Sequence, residues 1–300
     1  MNTPANSKIE TVLNYSCLLG EGPVWDAKQK TISWVDIVNG QIHEFSPTKQ
    51  THKILELGEM IGSIALCTDG NYIGALENGF AFINRQSGEI KRIADPESHL
   101  PKNRFNEGKC DPAGRFWAGT MALSEESGAG NLYVLNDQLI YSKKIDGVSI
   151  SNGLAWSLDQ NSLYYIDTPT MEVVRFDFDK ESGSISGKKT IIRMEEKQGY
   201  PDGMTLDKEG NLWIAHWDGW QISQWDPISG KQIGQIRMPV ARITSCTFGG
   251  EHYQDLYITS AKKGLSESEL RKQPLAGSLF VIKNCGCEGI PPFEFIRHSL

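Results

Sequence analysis

Apolar and polar positions alternate along most of the chain, in short runs closed by Asp, Asn, Gly or Ser. The clearest runs are TISWVDI from Thr31, NYIGALE from Asn71, GRFWAGTM from Gly114, NSLYYIDT from Asn161, GNLWIAHW from Gly210 and QDLYITSA from Gln254. Aromatic and β-branched residues at every second position, with turn residues on both sides, predict strands. Each run is followed by another of the same kind: QIHEFSP, GFAFINR, GNLYVLN, EVVRFDF, WQISQWD and GSLFVIK. A fourth, such as HKILEL, EIKRIA or KQIGQIR, completes most units. Helical periodicity is almost absent, and SESELRK (Ser266–Lys272) is the one segment that predicts a helical turn or two.

A strand with its own signature opens each unit: a polar residue, a Gly, an apolar alternation and then an Asp. It reads EGPVWD from Glu21, NEGKCD from Asn106, NGLAWSLD from Asn152 and DGMTLD from Asp202. Weaker versions are IGSIALCTDG from Ile61 and TSCTFGG from Thr244. Six copies at intervals of roughly 40 to 50 residues mark a radial β-repeat. Four short antiparallel strands repeated six times predict an all-β, six-bladed β-propeller, one domain spanning residues 1–300. A sandwich of such regularity would be unusual. Ring closure is expected in the sixth unit, with KIETVLNY near the start and PFEFIRH near the end both able to add to it.

Composition narrows the partners. A formal charge of −7 and the lack of a basic stripe argue against nucleic acid. No window approaches the length of a membrane span, so a membrane partner is not expected. The N-terminal residues lack the plan of a secretory signal, which makes a cytoplasmic protein the expectation. The six cysteines (Cys17, Cys67, Cys110, Cys246, Cys285 and Cys287) are then free thiols, and the CxC at Cys285 and Cys287 belongs to a surface loop. A monomer or weak homo-oligomer is expected.

Equivalent positions of a radial repeat converge on one axis. The residues read before the Gly are Glu21, Ile61, Glu107, Asn152, Asp202 and Thr244. Carboxylates and an amide around one axis are costly without a cation or a dense hydrogen-bond network, so they describe a hard-cation site. A water-filled channel, where acids need no metal, is the alternative. The closing residues Asp26, Asp69, Asp111, Asp159 and Asp207 precede turns and read as turn formers. Trp25, Trp34, Trp117, Trp156 and Trp213 read as core. His216, in WIAHWDG, is a packed strand residue or a substrate contact, while His43, His52, His99, His252 and His298 are expected at the surface.

LGEGPVWD, NRFNEGKCDPAGRFWAGTM, SNGLAWSLD, YYID, YPDGMTLD and TSCTFGG, in this order, closely resemble the senescence-marker-protein/regucalcin/gluconolactonase family from about Leu18 to at least Ser260. The resemblance implies a six-bladed propeller with one divalent cation at the channel mouth and hydrolysis of sugar-acid lactones. It implies Glu21, Asn152 and Asp202 as metal ligands. It also implies Arg104 and Asn106 as substrate-binding residues. Glu107 stands where many members carry Asp. The family's acidic pair after GTM is replaced by ALSEES, which puts Ser124 at the substrate-contacting position, with Glu125 or Glu126 able to compensate.

The resulting expectation is metal-assisted hydrolysis of a glucono-, galactono-, xylono- or arabinonolactone. The ion (Ca²⁺, Mg²⁺, Mn²⁺, Zn²⁺ or Fe²⁺) polarises the carbonyl. Asp202 is the candidate general base, with Glu107 or a cation-activated water as substitute because a bound cation weakens a ligand as a base. A non-enzymatic calcium-binding regulator is the rival reading, and a protein-interaction platform is a third. The retained Arg104–Asn106 pair favours the enzyme. Residues 124–130 and 261–277 are the loops expected to set specificity or form a lid.

Overall fold

The computed structural model describes residues 8–13 and 15–298. Six four-stranded antiparallel sheets follow one another along the chain. The opening strands are Gly20–Asp26, Ile61–Leu66, Asn103–Cys110, Ser151–Trp156, Tyr200–Leu206 and Ile243–Gly249. Each contacts the opening strands of the next and preceding sheets, so together they form the inner wall of a closed ring. The molecule is a six-bladed β-propeller. Apolar residues of neighbouring blades interleave between the sheets, as where Val35, Ile42, Ile64 and Leu76 share one buried cluster. The five Trp residues expected in the core are all buried.

Closure uses one end of the chain only. Ile9–Thr11 pairs with Phe280–Ile282 and completes the sixth blade from outside. PFEFIRH does not join that blade, which corrects the expectation. Residues 285–297 instead run as a strap over another part of the ring. Gly289 N donates to Tyr253 O at 2.8 Å, Gly289 bridges Asp207, and Phe295 bridges Cys67 of the second blade. Arg297 Nη1 pairs with Asp69 at 2.8 Å, and Phe295 is fully buried. The fourth strand, Ile9–Thr11, already occupies the sixth blade's outer edge, so the strap's backbone groups are satisfied by several blades instead.

The closing Asp residues form turns as expected. Asp111 accepts from the amides of Ala113 and Arg115, and Asp207 from those of Glu209 and Asn211. Two of them also accept an indole N–H, Asp111 from Trp117 and Asp207 from Trp213, each at 2.9 Å. The helix is Glu267–Lys272, capped by Ser266 and Glu269 in a reciprocal box. All six cysteines are free. His43 departs from expectation because it is buried. It stacks on Trp34 at 5.0 Å and hydrogen bonds to His52 at 3.0 Å, so the outer strands of the first blade contain a packed imidazole pair.

Candidate active site

Each opening strand breaks its register with the second strand at the recurring phrase. The breaks fall at Glu21/Val24, Ile61/Ser63, Phe105/Gly108, Ser151/Leu154, Pro201/Met204 and Ile243/Ser245. A β-bulge leaves residues unpaired and re-aims their side chains. The polar-Gly phrase is therefore the sequence of a bulge repeated six times.

The ladders also correct the alignment of three slots, one of them in the first blade, where Glu21 pairs with Val35 and the unpaired residues are Gly22 and Pro23. The unpaired residues are Asn106 and Glu107 in the third blade, Asn152 and Gly153 in the fourth, and Asp202 and Gly203 in the fifth. In the second blade the unpaired residue is Gly62, and Ile61 packs in the core. Asn106, not Glu107, thus matches Asn152 and Asp202, and Gly62 replaces Ile61. Glu107 occupies the next position, where the fourth and fifth blades carry Gly. A Cβ added to Gly203 would lie 2.8 Å from Glu107 Oε2 and 2.2 Å from Ser245 Oγ. Gly203 thus leaves room for the Glu107 side chain, whereas Gly153 is packed against Ile166, Met204 and Asp202 O.

Glu21, Arg104, Asn106, Asn152 and Asp202 line one cleft of about 420 Å³. Its walls include Leu19, Met121, Ile150, Pro169, Tyr200 and Trp217. The polar residues are linked in series. Arg104 Nη1 donates to Asn106 Oδ1 at 2.7 Å, and Asn106 Nδ2 donates to Asn152 Oδ1 at 3.1 Å. Asn152 Nδ2 donates to Thr168 Oγ1 at 2.7 Å, and Thr168 passes its proton to Pro201 O at 2.8 Å. This series turns both amides so that the Asn152 oxygen faces Asn106 and the cleft. Thr168 was not singled out in the sequence, although it directly follows the YYID run.

Glu21 and Asp202 are both about 5% exposed. Burial pushes each carboxyl well above its usual range; Glu107 adds to this at Glu21, and Glu21 then Glu107 add to it at Asp202. Glu21 Oε2 accepts only the Gly22 amide at 2.8 Å, and among the described residues neither carboxylate forms a salt bridge. Arg104 is the nearby cation, and burial lowers it to about 10. No group of three or more His, Cys, Asp or Glu side chains converges on a metal-sized point among the described residues. The trio offers two carboxylates and one amide oxygen instead. Two buried carboxylates beside an oriented amide oxygen form a donor set that fits a hard divalent cation.

Other expected residues are placed differently. Glu107 lines a second cavity, of about 70 Å³, bounded also by Lys109, Trp156, Ser245 and strap residues Ile290–Phe293. Its Oε2 is buried without a hydrogen-bond partner, and burial raises its carboxyl while Lys109 opposes the rise. Ser124 is exposed and does not line the cleft. Its neighbour Glu125 does, carried there by a left-handed backbone (φ 58°) in a turn closed by its amide to Ala122 O at 2.9 Å. His216 does not line the cleft either; it is buried against Ser223 Oγ at 2.6 Å, and the next residue, Trp217, forms the wall. Lys263, from the loop after the second strand of the sixth blade, also lines the cleft, without any sequence pattern to mark it.

Residues 19–262 match the model of the SMP-30/gluconolactonase/LRE-like region. The chain is 38% identical to regucalcin of Xenopus laevis over 293 residues, covering 96% of this chain and 98% of that one. It superposes on a luciferin-regenerating enzyme with a TM-score of 0.91 at 29% identity, covering 97% and 99% of the two chains. A calcium-binding protein, regucalcin, from Agrobacterium tumefaciens gives a TM-score of 0.90 at 27% identity over 95% and 96%.

Proposed function

The chain belongs to the SMP-30/gluconolactonase/LRE-like family, and from that premise we propose that it hydrolyses a sugar-acid lactone to the free aldonic acid with one divalent cation. The observation that carries this reading is the joining, in one cleft, of the Glu21–Asn152–Asp202 oxygens to the Arg104–Asn106 pair. Glu21, Asn152 and Asp202 would hold the ion. Two carboxylates and an amide suit Ca²⁺, Mg²⁺ or Mn²⁺ by donor type. The bound cation supplies Lewis acidity for the lactone carbonyl.

The side chains do the rest. Arg104 spends Nη1 on Phe105 O and Asn106 Oδ1, at 2.8 and 2.7 Å, which holds the guanidinium plane against the cleft. A fixed guanidinium there binds sugar hydroxyls and offsets the negative charge that develops as the ester carbonyl is attacked. Asn106 uses both ends of its amide and so acts chiefly by positioning Arg104 and Asn152. Asp202 accepts the proton of the attacking water. Glu107 faces the other cavity, which favours Asp202 as the base. Leu19, Trp217, Tyr200 and Met121 provide apolar walls against which the ring is held and bulk water displaced.

The test is a lactonase assay on hexono- and pentonolactones, first metal-stripped and then with each divalent ion. Metal-dependent opening of at least one is expected. If none opens although the protein binds the cation, the lactonase reading fails and calcium binding without catalysis takes its place.

A further inference from the structure

We propose that Lys263 forms an anion subsite with Arg104, so that the lactone this chain prefers carries a carboxylate or phosphate outside the ring that is opened. The inference rests on the lactonase reading and adds the substrate's charge.

The charges in the cleft support it. Arg104 and Lys263 both line it, and Glu125 is the carboxylate that lines it besides Glu21 and Asp202, while Glu77 acts on Arg104 from the neighbouring cavity. A divalent cation cancels Glu21 and Asp202, which leaves two cations against one acid. The cleft is then positive in a chain whose formal charge is −7. Such local inversion of sign concentrates anions at the mouth.

Neither cation forms an ion pair among the described residues. Arg104 Nη1 donates only to the neutral oxygens of Phe105 and Asn106. Lys263 Nζ has no hydrogen-bond or ion-pair partner among the described residues, whereas the neighbouring Lys262 Nζ donates to Ser16 O at 2.9 Å. Ring opening of a neutral lactone creates one negative charge, which the cation and Arg104 already meet. Lys263 is surplus to that need.

The segment that delivers Lys263 is firmly held. The Lys263 amide donates to Leu18 O at 2.8 Å, and its carbonyl accepts from Arg242 Nη1. Arg242 lies over the Trp217 ring at 4.7 Å and pairs with Asp218 at 2.9 Å. One guanidinium therefore fixes both an aromatic wall of the cleft and the backbone of its second cation. Glu125 answers Lys263 in the empty cleft and would repel the substrate's anionic group from its own side, giving the lactone one orientation.

The experiment compares kcat/KM for gluconolactone, for the same lactone phosphorylated on its terminal hydroxyl, and for the analogue oxidised there to a carboxylate. The full chain is loaded with the activating cation and assayed at low and high salt. At least one anionic lactone should exceed the neutral one by about tenfold or more, as expected for a charge-assisted contact. Salt should shrink that ratio. Lys263→Met should lower it about tenfold and Lys263→Arg should restore it, while the cation-induced rise in melting temperature certifies folding. The two anionic arms distinguish phosphate from carboxylate. A preference for the neutral lactone, or a Lys263→Met loss equal for all three, overturns the subsite. If no lactone is opened, the lactonase reading fails, and calorimetry with gluconate and its phosphorylated form decides the subsite: equal affinities overturn it.

Discussion

Replacing Asp202 by Asn separates what the carboxylate does for the fold from what it does for the ion. Without a cation, Glu21 and Asp202 are buried together; burial raises both carboxyls, and the charge of Glu107 adds at each while that of Glu21 adds at Asp202. A folded-state value above the unfolded one of about 4 means that stability is greatest at low pH and is lost as pH rises through the raised value. The metal-free protein should therefore melt lower at pH 8 than at pH 5 through these buried acids, and Asp202→Asn should remove the part of that loss that belongs to Asp202. The gain is on the order of 1–3 kcal/mol, the size of a like-charge contact at an effective dielectric near 20. With a saturating cation the sign reverses. At about one hundred times its Kd an ion adds about 2.7 kcal/mol to the native protein, or roughly 5 °C for a domain of this size. Asp202→Asn should lose most of that rise. Scanning fluorimetry of chelator-treated and cation-loaded protein at both pH values reads all four numbers. A variant that melts below the parent when metal-free at pH 8, or keeps the full cation-induced rise, would refute the account of the pair.

Three further outcomes follow from the packing. Burial lowers His43 to about 3 and His216 to about 4; the unfolded chain therefore takes up protons first as pH falls. Stability present above about 6.5 is lost on descent towards those values, by about 2 kcal/mol per imidazole between pH 7.5 and 5. Urea titrations should show that loss, and His43→Gln should remove about half of it. Arg85 is buried and binds Asp26 Oδ2 at 2.6 Å, Glu44 Oε2 at 2.5 Å and Thr31 Oγ1 at 2.9 Å. Arg85→Ala should cost about 3–5 kcal/mol because two acids are left unpaired, and a urea midpoint unchanged by the substitution would contradict this. Phe295 is fully buried where the strap meets the second blade; Phe295→Ala should cost about 3–5 kcal/mol if the strap stays seated. Much less would mean that the strap detaches, which limited proteolysis after Ile290 detects.

The propeller was legible because its strands obey a period-two pattern and its opening phrase repeats, and both survive loop variation. The phrase carried a further physical meaning that residue type alone did not convey. Reading polar-Gly pairs aligned Glu107–Gly108 with Asp202–Gly203, yet the bulges align Asn106 with Asp202. The closing Asp held the missing clue: Asn106 precedes Asp111 by the same step that separates Glu21 from Asp26 and Asp202 from Asp207. That step holds for the third and fifth blades but not for the fourth, where Asn152 lies seven residues before Asp159, so the ladder and not the spacing alone identifies the slot. Glu107 looked like a member of the slot only because a Gly happens to follow it. The residues that escaped altogether are those no ladder controls. Lys263 reaches the cleft because Leu18, ahead of the first blade, and Arg242, at the start of the sixth, hold its backbone. Glu125 reaches it because one left-handed residue reverses the loop that leaves Ser124 outside. In this ring, then, the parts that bind an ion belong to the repeat and can be counted along the chain. The residues proposed to choose a substrate come from loops outside the repeat, and so they were hidden where the proposed cation ligands were not.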